Sequence, residues 1–472
     1  MTIRRALLAW LGPLSLAGCV AGPNHVQPAP PASAALESGA FLRADGEDQD
    51  APVARWWTDL GDPVLSGLIE TGLASAPAVE AATARIRGAR SGISAARAAL
   101  LPALSTSATY IYADLPNQTL GAGGGATDFA TLGFDTQWEI DLWGGKARAI
   151  ERARADAGAA EAELAGTLVS LSAEIARTYV TLRAREASEG LLDTRRAGEE
   201  RLLEIARSRR MGGTATEQDV AAARQRLGGT EAELAAVRSD VEVLRDALAV
   251  LTGSAPGSMD NVPAGKIPLP PAQVAIGDPA ALLARRPDVL AAERRLASST
   301  AGVGVARSRR FPAVSLLGLI GIGGSNLGDL FDTSQLSAIG VPRLSWNFLD
   351  FGRTASEVRG AEAARDAALA DYRASVLAAL QDAEASLSRY GAARLALARA
   401  GDSLGSARDI SRLERLRGKA GTISQGQVLE AEMREIDRHL AEINSRAQLT
   451  LAHVMLAKSL GLGWQPENLP TD

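Results

Sequence analysis

Cys19 is the one residue whose type and setting point to a covalent reaction. It closes Leu16-Ala17-Gly18-Cys19, behind Arg4-Arg5 and an apolar run from Ala6 to Leu16. That run is too short to span a bilayer, and the layout is a lipobox at the end of a bacterial signal peptide. Residues 1–18 then leave as the signal peptide and Cys19 becomes the mature N-terminus, carrying acyl chains worth about 0.8 kcal/mol per buried methylene. An ordinary signal peptide with an incidental cysteine would share the apolar run. The remaining reactive side chains make no site. His25, His439 and His453 are scattered, and a single cysteine leaves no disulfide framework or clustered metal site. No nucleophile, base and orienter stand together, no phosphate loop appears, and Gly321-Ile-Gly323 falls in a strand pattern where glycine eases packing. The chain reads as no enzyme, with no cofactor.

Charge and composition narrow the class. A net charge of −5 over 472 residues, with bases alternating with acids along helical stretches, gives no reason to expect nucleic acid; Arg207 to Arg210 is too short a block to be a patch. Aromatic residues make up only 4%, which suits extended packing of alanine- and leucine-rich helices better than one large core. Val20 follows the cysteine in place of aspartate, which fits sorting to the outer membrane by analogy with known lipoproteins.

The elements that must carry these residues come in two copies. Pro77, Val79, Ala82, Arg97, Pro102 and Ser105 fall without a gap on Pro287, Val289, Ala292, Arg307, Pro312 and Ser315. Trp138 to Gly144 answers Trp346 to Gly352, and Gly213-Thr214 answers Gly421-Thr422. A period near 200 residues is too long for a solenoid, so this is a duplicated half-protein. The layout expected is a lipidated segment and start of a belt over 19–75; a first repeat over 76–255 with a β-hairpin at 103–142 and a helical hairpin at 144–252; a linker at 256–277; a second repeat over 278–460 with hairpins at 313–349 and 353–460; and a tail at 461–472.

Each repeat holds two long strands with one apolar face. Leu104, Ala108, Tyr110 and Tyr112 alternate with Ser105, Ser107 and Thr109, while Ala130, Leu132, Phe134, Trp138 and Ile140 alternate with Thr131, Asp135, Gln137 and Glu139. Val314, Leu316, Ile320 and Ile322, then Leu336, Ala338, Leu344 and Trp346, repeat the design. Strands of this length with alternating faces and aromatics near their ends are the pattern of membrane barrels, though a soluble sandwich shares the alternation. Four strands cannot close a channel, and an open edge in lipid leaves amides unpaired. Several chains must therefore share one barrel, and a homotrimer supplies twelve strands. The rest reads as long coiled-coil helices, with seams such as Leu164, Leu168, Leu171, Ile175 and Leu182, and no proline between Gly144 and Ala255 or between Arg343 and Gln465. A helix from Lys146 to Arg210 would be about 100 Å long, the length of a periplasm-spanning tube. The fold class expected is an α+β membrane protein with four membrane strands per protomer and an internal duplication.

The lipobox with Gly22-Pro23, Trp56-Trp57 to Asp62-Pro63, Arg286-Pro287-Asp288-Val289 through Phe311-Pro312, and Asp141-Leu-Trp-Gly144 with Asp350-Phe-Gly-Arg353 together resemble the outer-membrane factor family of TolC-like efflux channels, and within it the lipoproteins. The resemblance implies a trimeric 12-stranded β-barrel in the outer membrane, a periplasmic α-barrel, and passive passage of substrates. It implies as partners a periplasmic adaptor (membrane fusion protein) and an inner-membrane RND-type or ABC-type transporter. The other readings are the outer-membrane part of a type I protein secretion system and a lipid-tethered coiled-coil scaffold. The resemblance also implies a periplasmic gate near the second hairpin tip, for which Asp409, Ile410, Leu413 and Glu414 are the candidates, although the same side chains would serve as solvated helix charges. Gly213, Thr214, Gly421 and Thr422 mark the hairpin tips, where a positive-φ glycine makes the turn and an adaptor would dock.

Overall fold

The computed structural model describes residues 20–29, 31, 41–43, 55–115, 125–325 and 327–464. Cys19, the signal peptide and residues 465–472 lie outside them. The elements in order are α1 (Pro63–Ser75), α2 (Pro77–Ala98), β1 (Ala103–Leu115), β2 (Gly125–Ile140), α3 (Gly145–Met211), α4 (Glu217–Leu251), α5 (Pro279–Arg285), α6 (Pro287–Ser308), β3 (Ala313–Gly324), β4 (Leu336–Ser345), α7 (Arg353–Lys419) and α8 (Gln425–Ser459). Among the described residues no helix is long and apolar enough to cross a membrane. The chain divides into two compact units.

The described residues of the first unit lie within 20–28, 85–160 and 291–372. Its centre is one antiparallel sheet in the order β1-β2-β3-β4. The helix that leads into β1 stops at Ala98. Residues 99–101 turn before Pro102, whose ring and missing amide hydrogen forbid a further helical turn. Both repeats build the foot of the sheet alike. The Trp138 indole donates to the carbonyl of Leu100 at 2.8 Å, and Trp346 donates to that of Arg310 at 3.1 Å. Trp143 donates to the Pro312 carbonyl at 2.7 Å and stacks on Phe311, ring centres 4.7 Å apart.

The Asp-Leu-Trp-Gly and Asp-Phe-Gly motifs are strand-to-helix junctions. Asp141 accepts the backbone amides of Lys146 at 3.1 Å and Ala147 at 2.8 Å, at the start of α3. Asp350 accepts those of Gly352 at 3.0 Å and Thr354 at 2.8 Å at the start of α7, together with the Thr354 hydroxyl. Those donors, the Thr354 hydroxyl first, hold the Asp350 carboxyl below the usual carboxylate range. Gly144 and Gly352 turn the chain at φ 73° and 87°.

The segment after Cys19 is fastened to this junction. The Ala21 amide donates to the Trp143 carbonyl at 2.9 Å. Arg148, only 4% exposed, donates to the carbonyls of Ala21 and Gly22 and to Asn24 Oδ1 at 2.7 Å. His25 lies 2.7 Å from the Glu293 carboxylate. A side chain at Gly144 would press on Val20, so that glycine is also a close approach.

The described residues of the second unit lie within 29–84, 161–290 and 373–464 and hold the main core. Trp56 and Trp57 are buried edge to face, and Leu65 and Ile69 on the inner side of α1 are fully covered. Asp62 explains its own motif: one oxygen caps α1 through the amides of Val64 and Leu65, and the other accepts the Tyr179 hydroxyl at 2.7 Å. Burial, then that carboxylate, push the Tyr179 phenol up to about 12. Arg183, fully buried, lies 4.6 Å over the Tyr179 ring and donates to Glu186 and to the Pro263 carbonyl of the linker. Arg286 of the Arg-Pro-Asp-Val motif donates to the Ser459 carbonyl at 2.9 Å, to Asp288 at 2.6 Å and to Asp382. These family-like motifs are fasteners of the helical packing. The two hairpins match in size, α3 and α7 having 67 residues each and α4 and α8 having 35. At about 1.5 Å per residue the longer helices are about 100 Å in length.

Candidate functional site

The candidate residues fall in two places: the sheet of the first unit and the hairpin tips of the second. In the sheet, hydrogen-bond register decides which side chains share a face. Thr106, Phe134, Ile320 and Ala338 form one cross-strand row, and Ala108, Leu132, Ile322 and Leu336 the next. The apolar positions singled out strand by strand thus line up on a single face across all four strands. Most are open to the surroundings: Phe134 is 55% exposed, Leu336 62% and Leu344 69%. A contiguous apolar face of this kind needs a partner, and hydrocarbon suits it. On the other face Ser105 and Asp135 share a row, as do Glu139, Ser315 and Arg343. Both outer strands, β1 and β4, pair on one side only among the described residues.

The two tips have one construction. Gly213 and Gly421 take φ 73° and 70°, a conformation that side-chain-bearing residues rarely adopt. The next residue closes each helix end: Thr214 donates its amide to the Arg209 carbonyl at 2.8 Å and Thr422 to that of Arg417 at 3.0 Å, with the hydroxyls donating to the same atoms. The returning helices are capped two residues later, by Thr216 paired with Asp219 and Ser424 paired with Gln427, each a reciprocal capping box. The Thr216 backbone and side chain hold the Asp219 carboxyl below its usual range. Thr214 and Thr422 therefore end helices and do not start them.

The gate candidates lie on the last turns of α7. Asp409 is paired with Arg412 at 3.1 Å and Glu414 with Arg417 at 3.0 Å, each on its own helix. Five residues separate the acids, which turns them about 140° apart around the axis and keeps them from lining one ring. Ile410 and Leu413 are uncovered in the single chain, at 51% and 52% exposure. Leu416, which the sequence reading passed over, joins them as a third exposed apolar side chain. Its signal was available: the buried positions Leu404 and Ser411 step by seven, so Leu413 and Leu416 fall off that seam. Arg148 was missed as well, because its partners lie more than 120 residues away.

The sequence model of the outer membrane efflux protein family matches residues 68–254 and 279–462, one stretch for each repeat. Nodulation protein T of Rhizobium leguminosarum bv. trifolii is 28% identical over 96% of both chains. The pyoverdine export outer membrane protein OpmQ of Pseudomonas aeruginosa is 27% identical over 90% of both. The solved outer-membrane channel OprN superposes with a TM-score of 0.85 at 30% identity, over 95% of this chain and all of that one. An apolar-faced sheet with two open edges and duplicated long helical hairpins thus coincide with a family match across both repeats, and the chain belongs to the outer membrane efflux protein family as a channel component of the outer membrane.

Proposed function

We propose that three copies of this chain pair β1 to β4 around a twelve-strand barrel, forming the conduit of a tripartite efflux system. The observation that carries this is the sheet: one apolar face for lipid, an opposite face that holds the charged and polar side chains Ser105, Asp135, Glu139 and Arg343 for a lumen, and two edges, free among the described residues, that cannot remain unpaired in hydrocarbon. The helices of 67 residues are long enough to continue the conduit through the periplasm. Cys19 carries the lipid anchor; in support, Val20 sits against Gly144 at the foot of β2, one residue from the acylated position. A periplasmic adaptor meets the tips at Gly213, Thr214, Gly421 and Thr422, and an RND-type or ABC-type transporter supplies the cargo. Ile410 and Leu413, with Leu416, form the apolar constriction, and Asp409 and Glu414 flank it. The conduit does no chemistry on what it carries. Small organic molecules are the cargo class, in keeping with the pyoverdine for which the similar OpmQ is named.

Native mass of the full-length protein extracted in mild detergent, with acyl analysis of the peptide that begins at Cys19, tests this. Three chains and an acylated cysteine are expected. A monomer with an unmodified cysteine would overturn both the shared barrel and the lipid anchor.

A further inference from the structure

The geometry points to a binding patch for amphiphilic organic cations on the inner face of the sheet, an inference that rests on the conduit reading and names its cargo chemistry. Along the rows of Asp135 and Gln137 the inner face is polar on the first-repeat strands and apolar on the second-repeat strands, while Ile111 and Phe129 make a separate apolar pair farther along β1 and β2. On the first-repeat strands it carries Ser105, Asp135, Gln137 and Glu139. Along the same rows the second-repeat strands carry Leu317 beside Val341 and Leu319 beside Ile339. These four side chains form one apolar block on the face that the outward row of Phe134 and Ile320 does not share. Ile339 is 57% exposed and Val341 47%, and nothing among the described residues covers them. Lipid cannot account for them, because they lie on the opposite side of the sheet from the lipid face. Apolar side chains facing a water-filled lumen are unfavourable unless something apolar visits them.

Charge decides which visitor. Asp135 stands directly opposite Leu319 at the border of the block and has no ion-pair partner among the described residues. The basic side chain on this face, Arg343, is two strands away and in a different row, where Glu139 shares it. An unpaired carboxylate at the edge of an apolar block fits a molecule with a flat apolar body and a positive end, and disfavours an anion of the same shape. Three copies would place three such patches around the lumen, each bordered by Asp135 and Gln137 of the first-repeat strands.

Rhodamine 6G, an aromatic cation, titrated into the detergent-extracted full-length protein and followed by fluorescence polarisation, is the test. Saturable binding is expected. Leu319→Ser with Ile339→Ser should weaken it about tenfold, and Asp135→Asn severalfold, while Ile320→Ser on the lipid face leaves it unchanged. Ile339→Ser alone and Asp135→Asn alter exposed or half-exposed positions, so they preserve the comparison if the double variant does not assemble. Unaltered affinity in inner-face variants that are still trimeric by native mass overturns this inference and leaves the conduit standing. A monomeric wild-type protein overturns both.

Discussion

Replacing His453 with phenylalanine should remove most of an acid sensitivity built into the helical core. His453 is 4% exposed on α8, with the rings of Trp56 and Tyr390 each 6.1 Å from its own, and neither ring nitrogen has a hydrogen-bond partner among the described residues. Burial pushes its pKa down from 6.5 to about 4, because an imidazolium there would be stripped of water with no acceptor in its place. The unfolded chain therefore takes up this proton near pH 6.5 and the folded chain only near pH 4. Stability from this site is fully present above about pH 6.5 and is lost as pH falls through the interval, reaching a floor below about 4. A shift of about 2.5 units corresponds to about 3 kcal/mol per chain, of which some 2.5 kcal/mol is gone by pH 4.5. Thermal melting of the helical circular dichroism signal, for wild type and His453→Phe at pH 7.5 and 4.5, reads this directly. The two proteins should melt alike at pH 7.5, and the variant should hold a clear advantage at pH 4.5. Parallel pH profiles would refute the reasoning, since they would mean that His453 gains a partner or water when it is charged.

Tyr179→Phe should lower stability by about 1 kcal/mol in denaturant titration by removing the hydrogen bond to Asp62, and should have little further effect once Asp62 is already replaced by asparagine. Gly213→Ala and Gly421→Ala should each destabilise by about 1 kcal/mol and to a similar extent, because the two tips share a left-handed φ; melting that drops for one alone would show the tips to be unequal. Asp350→Ala should cost about 1 kcal/mol through loss of the α7 cap, measurable as a lower melting temperature. Asp409→Ala with Glu414→Ala should raise conductance and sensitivity to large antibiotics; unchanged permeability in a properly assembled double variant would remove those acids from the gate.

What the sequence made legible followed from periodicity and from repetition. Two-residue alternation in Ala130 to Ile140 and in Leu336 to Ser345 gave the faces of strands that proved to be in mutual register. The duplication showed that each half had to contain the same parts. The reasons behind the motifs were less accessible, because Asp62, Asp141, Arg286 and Asp350 look alike as isolated letters whether they dock a partner or cap a helix. Long-range partners settled the matter: Tyr179 for Asp62, and the Ser459 carbonyl for Arg286. Where each returning helix starts was not legible either, since Thr214 and Thr216 are equally good cap residues by type and only backbone geometry separates them. The apolar block of Leu317, Leu319, Ile339 and Val341 was hidden because the face of β3 and β4 opposite the lipid also carries hydrophobic residues. Register against β2 was needed to assign it to the side of Asp135.

The two free edges of the sheet differ in sequence, so contact between copies is head to tail, and each copy must offer β1 to one neighbour and β4 to the other. Such an assembly can be poisoned. A synthetic peptide copying the 13 residues of β1 would occupy an exposed β4 and present no second edge, leaving a dead end that neither closes nor grows. That vulnerability exists only before closure and is indifferent to what the channel exports, so resistance to a chain terminator of this kind could not arise by altering the cargo path.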